Sequence, residues 1–171
     1  MYIDKKQLFK NLGEELGVSL TLDEGEAIIK EKSGRKIHIE SPKEADFFLF
    51  YTTLYNKPLE DISDLERKIW LSTNGEFSGP GWVGYNQEDQ SLQFFSPCAI
   101  HNQDPTPLVD TFKYVVRSAN SLTSEVEGFL KEVDKKGADK NEKIKSIPSS
   151  YSNMPNQQLS QLLNQFKKSA N

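Results

Sequence analysis

The sequence predicts an α+β fold in the order α-β-β-β-α-β-β-α, a twisted antiparallel sheet packed on helices. Two observations carry this. Apolar residues recur at intervals of 3 or 4 in separated segments, the period of a helix face. Between those segments lie short runs rich in aromatic and β-branched residues, bounded by Gly, Pro, Asn, Asp and Ser, and the first three are joined to one another by tight turns. Such turns join antiparallel neighbours, whereas parallel ones need a long crossover.

Asp4 caps a first helix running to about Leu16, with Leu8, Phe9, Leu12 and Leu16 at helical spacing and Gly17 as the stop. Three strands come next: EAIIKEK (26–32), KIHIE (36–40) and FFLFYTTLY (47–55), separated by the turns SGR and SPKEAD. Pro58 ends that run. The segment DISDLERKIWLSTNG (61–75) reads as a second helix, capped by Ser63 or Asp61, with Ile62, Leu65, Ile69 and Trp70 on its apolar side and Gly75 as its stop. WVGY (82–85) and SLQFFSPCAI (91–100) are strands around the turn NQEDQ. Thr106 or Asp104 opens a long helix to about Val133, with Pro107 in its first turn. Its stripe is Val109, Phe112, Val116, Ala119, Leu122, Val126, Phe129 and Val133.

Residues 1–133 thus form one body and 134–171 a tail of different character. DKKGADKNEKIK (134–145) is charged and nearly free of apolar residues, which predicts a flexible tether, and IPSSYSNMPN (147–156) reads as a linker. QQLSQLLNQFKK (157–168) places Leu159, Leu162, Leu163 and Phe166 on one helical side. A helix that short is marginal alone in water and needs a surface to dock on.

Bulk properties exclude several classes. No run approaches the roughly 20 apolar residues of a membrane span. The N-terminal MYIDKKQLFK has no apolar core, so no signal peptide is expected. Cys98 is the one cysteine, which rules out an internal disulfide and fits a cytoplasmic location. Residues 1–130 carry 13 basic and 21 acidic side chains, and 131–171 carry 8 and 4. An acidic body argues against nucleic acid, which needs clustered cations. It suits a basic polypeptide partner, or serves solubility alone.

The stretch GPGWVG (79–84) matches the G-x-G-x-x-G fingerprint of dinucleotide sites. That motif works only between a strand and a helix N-terminus. Here it comes after a helix and enters a strand, so its glycines are expected to make a tight connection. His38 falls in an alternating strand as a surface or edge residue, and His101 with Asp104 makes only two candidate metal ligands. Cys98 has no activating motif and reads as a buried thiol. No enzyme activity and no cofactor are expected.

The sequence does show surplus apolar strand surface. Phe47, Leu49 and Tyr51 point to one face and Phe48, Phe50 and Thr52 to the other, and Trp82, Tyr85, Leu92, Phe94 and Phe95 add to it. Either three helices cover both faces, or a patch remains that another chain covers.

The opening LFKNLGEELGV, the meander KIHIESPKEADFFLFYTTLYN, the block LERKIWLSTNGEFSGPGWVGYNQEDQSLQFFSPC and the long last helix occur together in this order. Over about residues 4–133 the chain resembles the class I type III secretion chaperones, the Tir-chaperone (CesT, SycE-like) family. The resemblance implies a small cytoplasmic homodimer, in a Gram-negative-type bacterium, that holds the N-terminal region of a secreted effector extended without ATP. It maps the dimer contact onto about residues 62–71, neighboured by 82–85 and 92–95. The dimer candidates are Ile62, Leu65, Ile69, Trp70, Trp82 and Phe94. The cargo candidates are Leu8, Leu12, Ile28, Ile37, Phe48 and Phe50. The terminal helix exceeds the family pattern, with the cargo groove or an export-apparatus component as its expected partner. The runner-up is a stand-alone protein-binding or regulatory domain of the same fold, as in the YbjN-like proteins.

Overall fold

The structure, a computed structural model, describes residues 4–20, 25–42, 45–74 and 79–138. Its elements run α1 (Lys5–Leu16), β1 (Glu26–Lys30), β2 (Lys36–Glu40), β3 (Phe47–Asn56), a 3-10 turn (Leu59–Asp61), α2 (Asp64–Ser72), β4 (Trp82–Asn86), β5 (Ser91–Ala99) and α3 (Thr106–Ala138). The expected α+β order is the observed one.

Local chemistry sets the helix ends. The Asp4 carboxylate accepts from the Lys6 and Gln7 amides, and Gly17 closes α1 in the left-handed region at φ 68°. Of the two candidate caps for α2, Ser63 takes the position. Its hydroxyl accepts from the Glu66 amide at 3.2 Å, while the Glu66 carboxylate accepts from the Ser63 amide at 2.8 Å. Gly75, expected to stop α2, lies outside the described residues. So does the terminal segment 157–168, and the described part of α3 runs on to Ala138, past the expected boundary at 133.

The five strands form one antiparallel sheet in the order β1-β2-β3-β5-β4. β3 alternates along most of its length, so Phe48, Phe50, Thr52 and Leu54 turn inward and Phe47, Leu49, Tyr51 and Thr53 outward. A bulge between Thr53 and Tyr55 breaks the register with β5 and lets Tyr55 turn back to the ring of Trp70, 6.2 Å away.

All three helices pack on the inner face. α3 crosses β2, β3 and β5, α1 lies beside α3, and α2 sits against α3 and β4. The core gathers Leu8, Phe9 and Leu12 from α1, Ile37, Ile39, Phe48, Phe50 and Phe94 from the sheet, and Leu65, Ile69 and Trp70 from α2. In α3 the fully buried positions include Leu108 and Val115, while Phe112 and Val116 of the expected stripe are only partly buried. Among the described residues, no helix is long and apolar enough to cross a membrane.

Candidate functional site

The outer face of the sheet carries no helix among the described residues, and one row of side chains crosses it from edge to edge. Pairing places Ile28 opposite His38, His38 opposite Tyr51, Tyr51 opposite Phe95 and Phe95 opposite Trp82. Their rings stack in sequence. Centroids lie 4.9 Å apart for His38 and Tyr51, 5.6 Å for Tyr51 and Phe95, and 5.6 Å for Phe95 and Trp82. Offset stacks of this kind add about 0.5–1.5 kcal/mol per pair beyond area burial. Gly84 is part of the construction, since a Cβ there would meet Phe95 Cε2 at 3.2 Å.

The middle of the row is half-buried by its own stacking, and the ends are open: Ile28 is 54% and Trp82 43% exposed. Charge borders it. Glu26, Glu40 and Asp89 act on His38 from one sign and Lys36 from the other. Burial is the largest effect on that imidazole and lowers its pKa below 6.5, which favours the neutral ring. Tyr51 donates its hydroxyl to Glu40 Oε1 at 2.7 Å. Burial first, then this bond, raises the Tyr51 pKa, so the phenol stays protonated and donating.

The two edges of the sheet differ. β1 pairs only with β2, and no other described strand lies along its other side. At the opposite edge, the Asn74 side chain reaches β4 from the end of α2. Its Oδ1 accepts from the Val83 amide at 2.6 Å, and its Nδ2 donates to the Val83 carbonyl at 3.0 Å. One amide side chain thus occupies the backbone N–H and C=O of Val83, the second residue of a five-residue strand.

The glycine stretch has a packing role. A Cβ on Gly81 would collide with Phe94 Cζ, and the Ser96 hydroxyl donates to the Pro80 carbonyl. The stretch leads into strand β4, so no helix N-terminus stands ready for a pyrophosphate. Asp104 accepts from the amide and hydroxyl of Thr106, which lowers its pKa. Among the described residues no three His, Cys, Asp or Glu side chains gather in a way that could hold a metal ion. Cys98 is buried, and burial raises its thiol pKa.

The site candidates fall unevenly. Of the dimer candidates, Ile62, Leu65, Ile69, Trp70 and Phe94 are buried inside the single chain, because the apolar stripe of α2 faces α3 and the sheet; only Trp82 is exposed. Of the cargo candidates, Leu8, Leu12, Ile37, Phe48 and Phe50 are fully enclosed between helices and sheet, and only Ile28 is exposed. The ten buried side chains belong to the core of the single chain. The two exposed ones, drawn from different sets, are the two ends of the same row. Sequence reasoning did not bring His38 into that row; it counted Phe95 as apolar strand surface and reached Leu71 only as the end of the mapped dimer range 62–71, and α2 leaves Leu71 45% exposed. Alternation signals outward residues on each strand, but only the pairing register lines them up.

A five-stranded antiparallel sheet with three helices on one face is the fold of the type III secretion chaperones. The chain belongs to the Tir chaperone protein (CesT) family, whose model matches residues 7–123. Among curated proteins no sequence relative matches. Among solved structures the chain is similar to a chain of the ExsC-ExsE complex, with a TM-score of 0.59 and 13% identity over 70% of this chain and 90% of that one. It is similar to a chain of the HopA1-SchA chaperone-effector complex, with a TM-score of 0.56 and 11% identity over 72% and 99%. A third is a chain of the ExoU-SpcU heterodimer from the type III secretion system of Pseudomonas aeruginosa, with a TM-score of 0.51 and 14% identity over 71% and 96%. At these identities the likeness is one of fold.

Proposed function

We infer that this protein is a cytoplasmic, ATP-independent chaperone for the N-terminal region of a type III secreted effector. Family membership supports the class, and the outer sheet face carries the reading for this chain. An extended polypeptide can add to the edge of β1 away from β2 through backbone hydrogen bonds, while its alternate side chains reach the apolar row from Ile28 inward. Each large apolar side chain buried there contributes roughly 1.5–3 kcal/mol. Nothing in such binding requires catalysis or a cofactor. Two copies pair, with Leu71 on the outer side of α2 as the apolar contact.

The test is purification from the cytoplasm of a bacterium that carries a type III secretion system, with identification of the bound chain. The expected result is one secreted protein held through its N-terminal region, lost at least tenfold on Ile28→Asp. Capture of a protein that is not exported would overturn the reading in favour of a regulatory domain. Sedimentation at micromolar concentration should give about twice 19.5 kDa, and Leu71→Asp should halve it.

A further inference from the structure

We propose that the outer aromatic row is the docking site of this chain's own terminal segment, residues 157–168, which competes there with any other ligand. The row is an apolar surface with two ends in solvent and no described element over it. The segment is its counterpart in pattern, with Leu159, Leu162, Leu163 and Phe166 spaced for one helical side and polar residues elsewhere.

Dimensions agree. A helix from Leu159 to Phe166 would span roughly 10 Å at about 1.5 Å per residue. Two strand spacings of about 4.8 Å each, the distance from Tyr51 across Phe95 to Trp82, are nearly the same. The tether is long enough. From Ala138, where the described part of α3 ends, to Gln157 the chain can extend by about 60 Å at roughly 3.3 Å per residue. The five-stranded sheet is only about 20 Å wide, so the segment can pass around an edge to the face opposite α3.

Charge selects among occupants. Glu26 and Glu40 flank Ile28 and His38 on one side and Lys30 and Lys36 on the other, and Asp89 adds a further negative charge near His38, whereas 157–171 holds Lys167 and Lys168 and no acidic residue. The tail brings cations and no carboxylate to these acidic groups, whereas a second copy would bring as many carboxylates as it meets. A tether of this length gives an effective concentration of the order of millimolar, so a ligand must displace the segment to reach the part of the row from Tyr51 to Trp82. This holds whether or not the ligand is an effector.

The experiment uses the full chain and its two tryptophans. Trp70 is 1% exposed, so acrylamide quenching reports Trp82. The variant L162S/F166S is expected to raise the Trp82 quenching constant at least twofold, and a free peptide of residues 155–171 added at millimolar concentration should restore the shielding. K167E/K168E, which leaves the apolar side intact, should raise it as well and decides the matter if the first variant does not fold. Quenching in the folded variants equal to that of the wild type overturns the proposal. Shielding that tracks protein concentration instead of the tail sequence also overturns it, in favour of a second copy.

Discussion

Replacing Gly81 with Ala tests whether the glycines before β4 exist for packing. The added Cβ would collide with Phe94 Cζ, lie 2.8 Å from Phe94 Cε2, and stand 3.2 Å from the Phe95 carbonyl oxygen. Phe94 is fully buried, and its ring meets Tyr114 of α3 edge-on at 5.9 Å and 61°, so it cannot swing away without disturbing the helix above it. Overpacking of this kind costs about 1–3 kcal/mol. With a urea slope of roughly 1–3 kcal/mol per molar, the midpoint should fall by about 1 M. Gly128 is the control. It lies exposed on α3 with nothing within 4 Å of an added Cβ, and Gly128→Ala should gain roughly 0.5–1 kcal/mol from helix propensity. A coupling of at least about 0.5 kcal/mol between Gly81→Ala and Phe94→Leu should appear in a double-mutant cycle. If Gly81→Ala unfolds within about 0.5 kcal/mol of the wild type, below the range for overpacking, the clash does not constrain this site and the packing account of the stretch fails.

Asn74→Ala leaves the Val83 amide and carbonyl without their side-chain partner. It should cost about 1–3 kcal/mol in a urea titration, and no measurable loss would refute the edge contact. Glu66 supplies a pH dependence. Burial of its carboxyl favours the neutral form, but the bonds from Ser63 and the charge of Lys57 outweigh burial and hold the pKa below 4.5. A lowered folded pKa stabilises the fold fully above the unfolded value and loses that contribution as pH falls through the folded one. The stability difference between wild type and Glu66→Gln should therefore be constant near neutrality and shrink below about pH 4.5, and a difference independent of pH would contradict the assignment.

Element order was legible because each signal was local. Asp4 and Gly17 bracket α1 by side-chain capping and a left-handed φ, and both are readable from residue type. Ser63 and Asp61 were indistinguishable as caps until Glu66 answered Ser63 across the first turn. The outer row was not legible, because it depends on the pairing registers of all five strands and on all helices choosing the same face. Ile28 and Trp82 lie far apart in sequence and at opposite edges of the sheet. The inward turn of α2 was likewise hidden: an apolar stripe looks the same whether it meets its own core or a partner's. Tyr55 shows the limit of alternation, since a bulge just before it sends it to Trp70 on the helix side.

The Asn74 contact also sets the valence of the sheet. A molecule with two free edges can join neighbours on both sides and grow into a fibre, as a bifunctional monomer grows into a polymer. Here Val83 of β4 is already paired with an amide from its own chain, which makes β1 the more open edge among the described strands. Growth by strand addition is then directed to one side. Edge-to-edge association through β1 ends at two strands meeting, and one added polypeptide strand saturates it.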